Sequence, residues 1–81
     1  MKITVTQQHI DSGQRGSCTG DPVSLAMRAA GLDKPWASPD HLAWRVDFKD
    51  YFVRTPEKVV QFMRDFDNKV PVEPFEFEVE G

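Results

Sequence analysis

The stretch from Thr55 to Phe66 most constrains what this chain can fold into. Thr55-Pro56-Glu57 reads as an N-cap, a first-turn proline and an acid at the positive end of a helix dipole. Val59, Phe62, Met63 and Phe66 then fall within one arc of a 3.6-residue period, with Val60 at its margin. Glu57, Gln61, Arg64 and Asp65 take the opposite side. A helix with so bulky a stripe needs a sheet to cover it, and the flanking segments alternate at period two.

Lys2 to Val5 reads as a first strand with Ile3 and Val5 on one face. Thr6 caps a brief helical turn through Gln7-Gln8-His9-Ile10, which Ser12-Gly13 ends. Gln14 to Gly20 is a polar, glycine-containing loop. Asp21-Pro22 repeats the cap-plus-proline signature and opens a second helix, Pro22 to Ala30, with Gly31 just past its end. Ser24 and Arg28 are its only polar residues, so it is expected to be covered on more than one side.

Leu32 to Pro39 reads as a connection holding Trp36. From Leu42 to Phe48 the alternation is strict: Leu42, Trp44, Val46 and Phe48 face one way, Ala43, Arg45 and Asp47 the other. A turn at Lys49-Asp50 pairs Phe48 with Tyr51 and Val46 with Val53. After the Thr55–Phe66 helix, Asp67-Asn68-Lys69 forms a turn, and Phe75-Glu76-Phe77-Glu78-Val79 makes a closing strand with Pro71 and Pro74 at its start or edge. The expectation is one α+β domain spanning residues 1–81. It has about four strands in a small, mainly antiparallel sheet, in the order β-α-α-β-β-α-β, with helices packed on one face.

With 81 residues, a core of this size rarely gives more than about 3–5 kcal/mol of net stability without help. One cysteine excludes an internal disulfide, so self-association is a reasonable way to bury more surface and a homo-oligomer is expected. Thirteen Asp and Glu face ten Lys and Arg, an acidic balance that argues against extended nucleic acid as a partner. Absence of a membrane-spanning run or a leader-like N-terminus makes the cytoplasm the expected location and excludes a membrane partner.

Three segments, ITVTQQHIDSG, CTGDPVSLAMRAAG and FMRDFDNKVPVEPFEFEV, together resemble a group of small uncharacterised bacteriophage and prophage proteins. In that group a Thr-Val-Thr strand leads to a His-Ile turn, a Cys/Pro-Val helix start follows, and a Val-x-Pro-Phe-x-Phe strand closes the chain. Asp21 stands before Pro22, where some relatives carry Cys. The resemblance implies an accessory protein that interferes with a host function, in host cytoplasm if phage-encoded, and it brings no catalytic residue.

Four constellations could carry chemistry. Arg15, Gly16 and Ser17, running into the second helix, combine a fixed charge, an approachable backbone and a dipole end, which suits an anion. The same loop lacks the glycine spacing and Gly-Lys-Ser/Thr ending of a phosphate loop, and an ordinary polar loop ending in a cap is the commoner explanation. Phe52 shares a hairpin face with Arg45 and Arg54, an arrangement that stacks a nucleobase or is simply covered by the second helix or another subunit. Glu73, Glu76, Glu78 and Glu80 line the outward side of the last strand, either as a solvated edge or as a stripe that engages a basic host protein. Cys18 with His9 or His41 lacks the further signatures of a Cys-dependent enzyme, and the spacings suit no metal.

The leading expectation is therefore a non-catalytic binding protein without cofactor or metal. It would capture an anionic, nucleotide-like ligand through Arg15, Gly16, Ser17, Arg45, Phe52 and Arg54. The alternative is an inhibitor or adaptor that binds a host protein through the acidic strand.

Overall fold

The structure, a computed structural model, describes residues 1–79. Its elements are β1 (Lys2–Val5), α1 (Gln7–Ser12), α2 (Pro22–Ala29), β2 (Asp33–Ala37), β3 (His41–Val46), β4 (Lys49–Arg54), α3 (Glu57–Asp67) and β5 (Phe75–Glu78). The chain is α+β, and all its strand pairings are antiparallel. The strands form two sheets, a β1-β5 ribbon and a three-stranded β2-β3-β4 sheet, where a single sheet was expected.

Local chemistry sets the helix ends. Thr6 and His9 make a reciprocal capping pair: the His9 N–H donates to Thr6 Oγ1 (3.3 Å), and the Thr6 N–H donates to His9 Nδ1 (3.1 Å). Asp21 caps α2, with Pro22 in the first turn, where its missing N–H costs nothing. Gly31 follows that helix at φ 96, a left-handed conformation that glycine adopts without strain. At α3 the expected cap is corrected. Pro56, not Thr55, precedes the helix, and no side chain among the described residues caps it. Thr55 is buried, and its hydroxyl donates to the Ser38 carbonyl (2.7 Å), tying the start of α3 to the β2–β3 turn.

The stripe on α3 behaves as its spacing demands: Val59, Phe62, Met63 and Phe66 are buried. They join Ile3, Val5, Val23, Ala26, Met27, Ala37, Leu42, Trp44, Phe77 and Val79 in one core. α2 packs on β1, β2 and α1, and leaves Arg28 and Ala29 in solvent. Phe75 is half-buried, while Pro71 and Pro74 stay outside the closing strand.

Two further corrections concern the middle of the chain. Residues 33–37 are a strand rather than part of a connection. Pro35 is tolerated because β2 is an edge, and the register breaks between Asp33 and Trp36, with Lys34 at φ 47. The hairpin turns at Asp47-Phe48, not at Lys49-Asp50, so Val46 pairs with Lys49 and Trp44 with Tyr51. The residues that remain in the strands nonetheless keep their expected faces, because the shift preserves the two-residue period. Phe48 thereby leaves the core for the turn, where it is 97% exposed, and Tyr51 is only half covered.

Positive φ at both central residues, 49 for Asp47 and 68 for Phe48, is the type I′ pattern that Asn-Gly adopts most easily. Replacing Asp47-Phe48 by Asn-Gly is expected to stabilise the protein by about 1 kcal/mol, since Phe48 packs on nothing that would be lost. Urea unfolding checks this, and a lower midpoint for the variant would contradict it.

Candidate functional site

The residues expected to form one ligand site lie in two places. The Gln14–Gly20 loop closes on itself, with the Gln14 N–H donating to the Gly20 carbonyl (2.8 Å) and the Gly20 N–H to Ser17 Oγ (2.9 Å). It then docks on the end of α3. Arg15 Nε donates to the Phe66 carbonyl (3.0 Å), with its guanidinium 5.1 Å from the Phe66 ring centroid. That is where a helix dipole favours a cation. The Gly16 N–H donates to Asp67 Oδ1 (3.3 Å). Arg15 and Gly16 are therefore engaged within the fold.

Beside them is a cavity of about 180 Å³ lined by Gly16, Ser17, Cys18, Asp21, Met63 and Asp67 among others. Asp21 accepts the Ser24 N–H (2.8 Å) and faces the Ser24 hydroxyl, occupying one of the N–H groups an anion would use. Burial pushes its carboxyl up to about 6; the Ser24 hydrogen bonds pull the other way, and the nearby Asp67 charge adds to the rise. With two carboxylates and no base on its lining, this cavity disfavours an anion.

The hairpin half of the expected site is coherent. Cross-strand partners share a face, so the register places Trp36, Ala43 and Phe52 in one row across the outer surface of the three-stranded sheet. The adjoining rows are Asp33–Arg45–Asp50 on one side and His41–Arg54 on the other. A cavity of about 290 Å³ is lined by Lys34, Trp36, Ala43, Arg45, Asp50 and Phe52, with Trp44 beneath. Phe52 is 65% exposed and Trp36 38%, so neither α2 nor any other described element covers them.

Trp36 and Phe52 sit on the two strands that flank β3. Strand spacing puts their backbones about 10 Å apart. A planar ring held between two aromatic faces needs about 7 Å, twice the ~3.5 Å contact distance. Ala43 between them has only a methyl group to form the floor. His41 meets Phe52 edge-on, with centroids 6.3 Å apart and planes at 84°. Arg45 Nε donates to Asp50 Oδ1 (3.1 Å), which fixes the guanidinium at the slot's edge and partly neutralises it. The side chains of Lys34 and Arg54 make no hydrogen bond or ion pair among the described residues. Trp36 and Lys34 are thus additions that the reading of residues 32–39 as a connection did not place.

The acids of the closing strand are less free than their alternation suggests. Glu76 lies 3.6 Å from the Lys2 ammonium and Glu78 3.7 Å from the N-terminal amino group. Glu80 lies outside the described residues. Glu73 instead joins Glu57 and Asp65 around an open groove of about 790 Å³ between α3 and the segment before β5. Phe62, Val72 and Phe75 line it, and among the described residues Lys58 is the one base on its lining.

His9 is used by the α1 cap and His41 by Phe52, and Cys18 offers its carbonyl to Ala37 (2.8 Å) and Ser24 (2.6 Å). Among the described residues no three or more His, Cys, Asp or Glu side chains gather as a metal site would require, and no helix is long and apolar enough to cross a membrane. The chain matches no protein-family model, no curated protein and no solved structure.

Proposed function

We propose that this is a non-catalytic binding protein that captures a planar, anionic, nucleotide-like small molecule on the outer face of its β2-β3-β4 sheet. The observation that carries the reading is the Trp36–Ala43–Phe52 row, a slot between two solvent-exposed aromatics with an alanine floor. Stacking supplies affinity for the base, while Lys34 and Arg54, with Arg45 at the edge, attract the phosphate. Arg15, Gly16 and Ser17 drop out of the ligand set, because Arg15 and Gly16 donate to the end of α3, Ser17 Oγ accepts the Gly20 N–H, and two carboxylates stand beside them. The likeness to small bacteriophage proteins gives this capture its sense, which is to withdraw a ligand that a host defence function requires.

The test is a fluorescence titration with linear and cyclic nucleotides and the matching nucleosides. Exposed Trp36 should be quenched while buried Trp44 is not. Trp36→Ala is expected to weaken binding about 10- to 100-fold, the loss of one stacking face. Arg54→Ala should weaken nucleotides but not nucleosides, and Arg15→Ala should change neither. Unchanged affinity in Trp36→Ala, or no binding across the panel, would refute the proposal.

A second reading rests on the groove between α3 and the segment preceding β5. An apolar floor rimmed by Glu57, Asp65 and Glu73 suits a basic peptide of a host protein. Retention of an Arg/Lys-rich peptide with no nucleotide bound, lost in Glu73→Lys, would favour it.

A further inference from the structure

We infer that β4 is a self-complementary edge, and that it pairs antiparallel with β4 of a second copy of this chain. The two free edges of the three-stranded sheet differ. β2 carries Pro35, which has no N–H, a register break and the left-handed Lys34, and the Ala37 N–H is taken by the Cys18 carbonyl. Such features blunt an edge against pairing. β4 has none of them. It runs six residues in unbroken register against β3, contains no proline or bulge, and is exposed at every position except half-buried Val53.

The free hydrogen-bonding groups follow from the turn. A two-residue hairpin loop makes Val46 and Lys49 a hydrogen-bonded pair, so Lys49, Tyr51 and Val53 direct their backbone groups to β3. Asp50, Phe52 and Arg54 direct theirs outward, and none has a partner elsewhere in the described chain.

Those three residues specify the partner. An antiparallel pairing centred on Phe52 sets Phe52 against its own copy, Asp50 against Arg54 and Arg54 against Asp50. All three outward N–H and C=O groups are then satisfied on both strands. On the outer face, two Asp–Arg pairs bracket a Phe–Phe contact. A shift of two residues either way puts a charge opposite Phe52. A shift of four sets Asp50 against Asp50 or Arg54 against Arg54. Tyr51 then lies opposite Val53 on the other face, which shelters part of the exposed Tyr51 ring. Asp50 has an oxygen to spare, because Arg45 takes only Oδ1, and Arg54 makes no hydrogen bond among the described residues. The result is an isologous dimer with a continuous β2-β3-β4-β4-β3-β2 sheet. It carries one Trp36–Phe52 slot on each side of the seam, and it stands whether or not that slot binds a nucleotide.

Sedimentation equilibrium of the full chain over about 1 to 500 μM tests this, a range chosen because so short an edge buries less than a standard interface. Wild-type protein should be dimeric at the upper end. Asp50→Arg and Arg54→Asp should each raise the dimer dissociation constant at least about tenfold, because symmetry converts two attractive pairs into two repulsive ones. The double variant, Asp50→Arg with Arg54→Asp, should return toward wild type. Circular dichroism establishes that each variant is folded. Hydrogen exchange at the Phe52 and Arg54 amides should slow with wild-type concentration and not in the single variants. A wild-type monomer throughout the range, single variants that dimerise normally, or a double variant no better than the singles would overturn the inference.

Discussion

Phe62→Ala is expected to leave the chain largely unfolded at 25 °C. Phe62 sits midway along α3, buried, with its ring stacked on Phe66 at 6.2 Å and 7° and tilted against Phe75 at 4.7 Å and 37°. Phe75 continues to Phe77 at 5.8 Å. This file of rings joins the long helix to β5, and β5 is the strand that holds β1. Truncating a buried phenylalanine costs about 3–5 kcal/mol, through lost transfer energy and the cavity left behind. A domain of this length holds about that much in total. Far-UV circular dichroism and urea titration read the outcome. Phe62→Leu, which keeps most of the volume, should retain a cooperative transition. Phe48→Ala, at a ring 97% exposed, should stay within about 0.5 kcal/mol of wild type. If Phe62→Ala lost less than about 1 kcal/mol, the ring file would not be what couples α3 to the ribbon.

The parts of this fold that were legible in the sequence are those with a long local signal. Four apolar residues at helical spacing in α3, Asp-Pro ahead of α2, Thr6 ahead of α1 and the Phe-x-Phe alternation of β5 each state their structure within a few residues. β2 was not legible, because its short alternation contains Pro35, is followed by Pro39 and is interrupted by a register break. Sequence alone misplaces the hairpin turn because Asp47-Phe48 lacks the glycine that marks such turns, and the strand register puts Phe48 at positive φ. Thr55 reads as a cap from its neighbours, yet its hydroxyl serves Ser38, seventeen residues away.

The candidate site divides along the same line. Arg45, Phe52 and Arg54 share a face by alternation alone, which the hairpin's register preserves. Arg15 was drawn toward a ligand by its neighbours in sequence, whereas its partner in space is the Phe66 carbonyl, 51 positions on. Trp36 needed β2 to exist before it could oppose Phe52.

Stability is expected to fall as pH rises from about 4 to about 6, in the part of the profile that Asp21 governs. Asp21 is only 4% exposed, and burial raises its carboxyl from 3.8 to about 6. Below 3.8 the group is protonated in both folded and unfolded chains and favours neither. Between those values the unfolded chain has released the proton while the folded one retains it. The folded state then binds more protons, so raising the pH favours unfolding. Above 6 both forms are ionised, and the loss is complete at about 3 kcal/mol. The Ser24 hydrogen bonds pull the other way and burial outweighs them, while their geometry still accommodates a protonated carboxyl. Ser24 has one hydroxyl proton facing two acceptors, Asp21 Oδ1 and the Cys18 carbonyl. A proton on Asp21 lets the carboxyl donate to Ser24, which then donates to Cys18, and every group is satisfied. Asp21→Asn keeps the acceptor for the Ser24 N–H and the N-cap preference but removes the buried charge. It should raise stability at pH 7 by about 1–3 kcal/mol and abolish this residue's share of the pH dependence. Asp21→Ala should lose about 1 kcal/mol of capping relative to Asp21→Asn. Urea midpoints at a series of pH values measure all three proteins. The decisive quantity is the difference between wild type and Asp21→Asn, because the other carboxylates contribute equally to both. Parallel profiles for that pair would show that Asp21 ionises normally in the fold, and would refute this account of the start of α2.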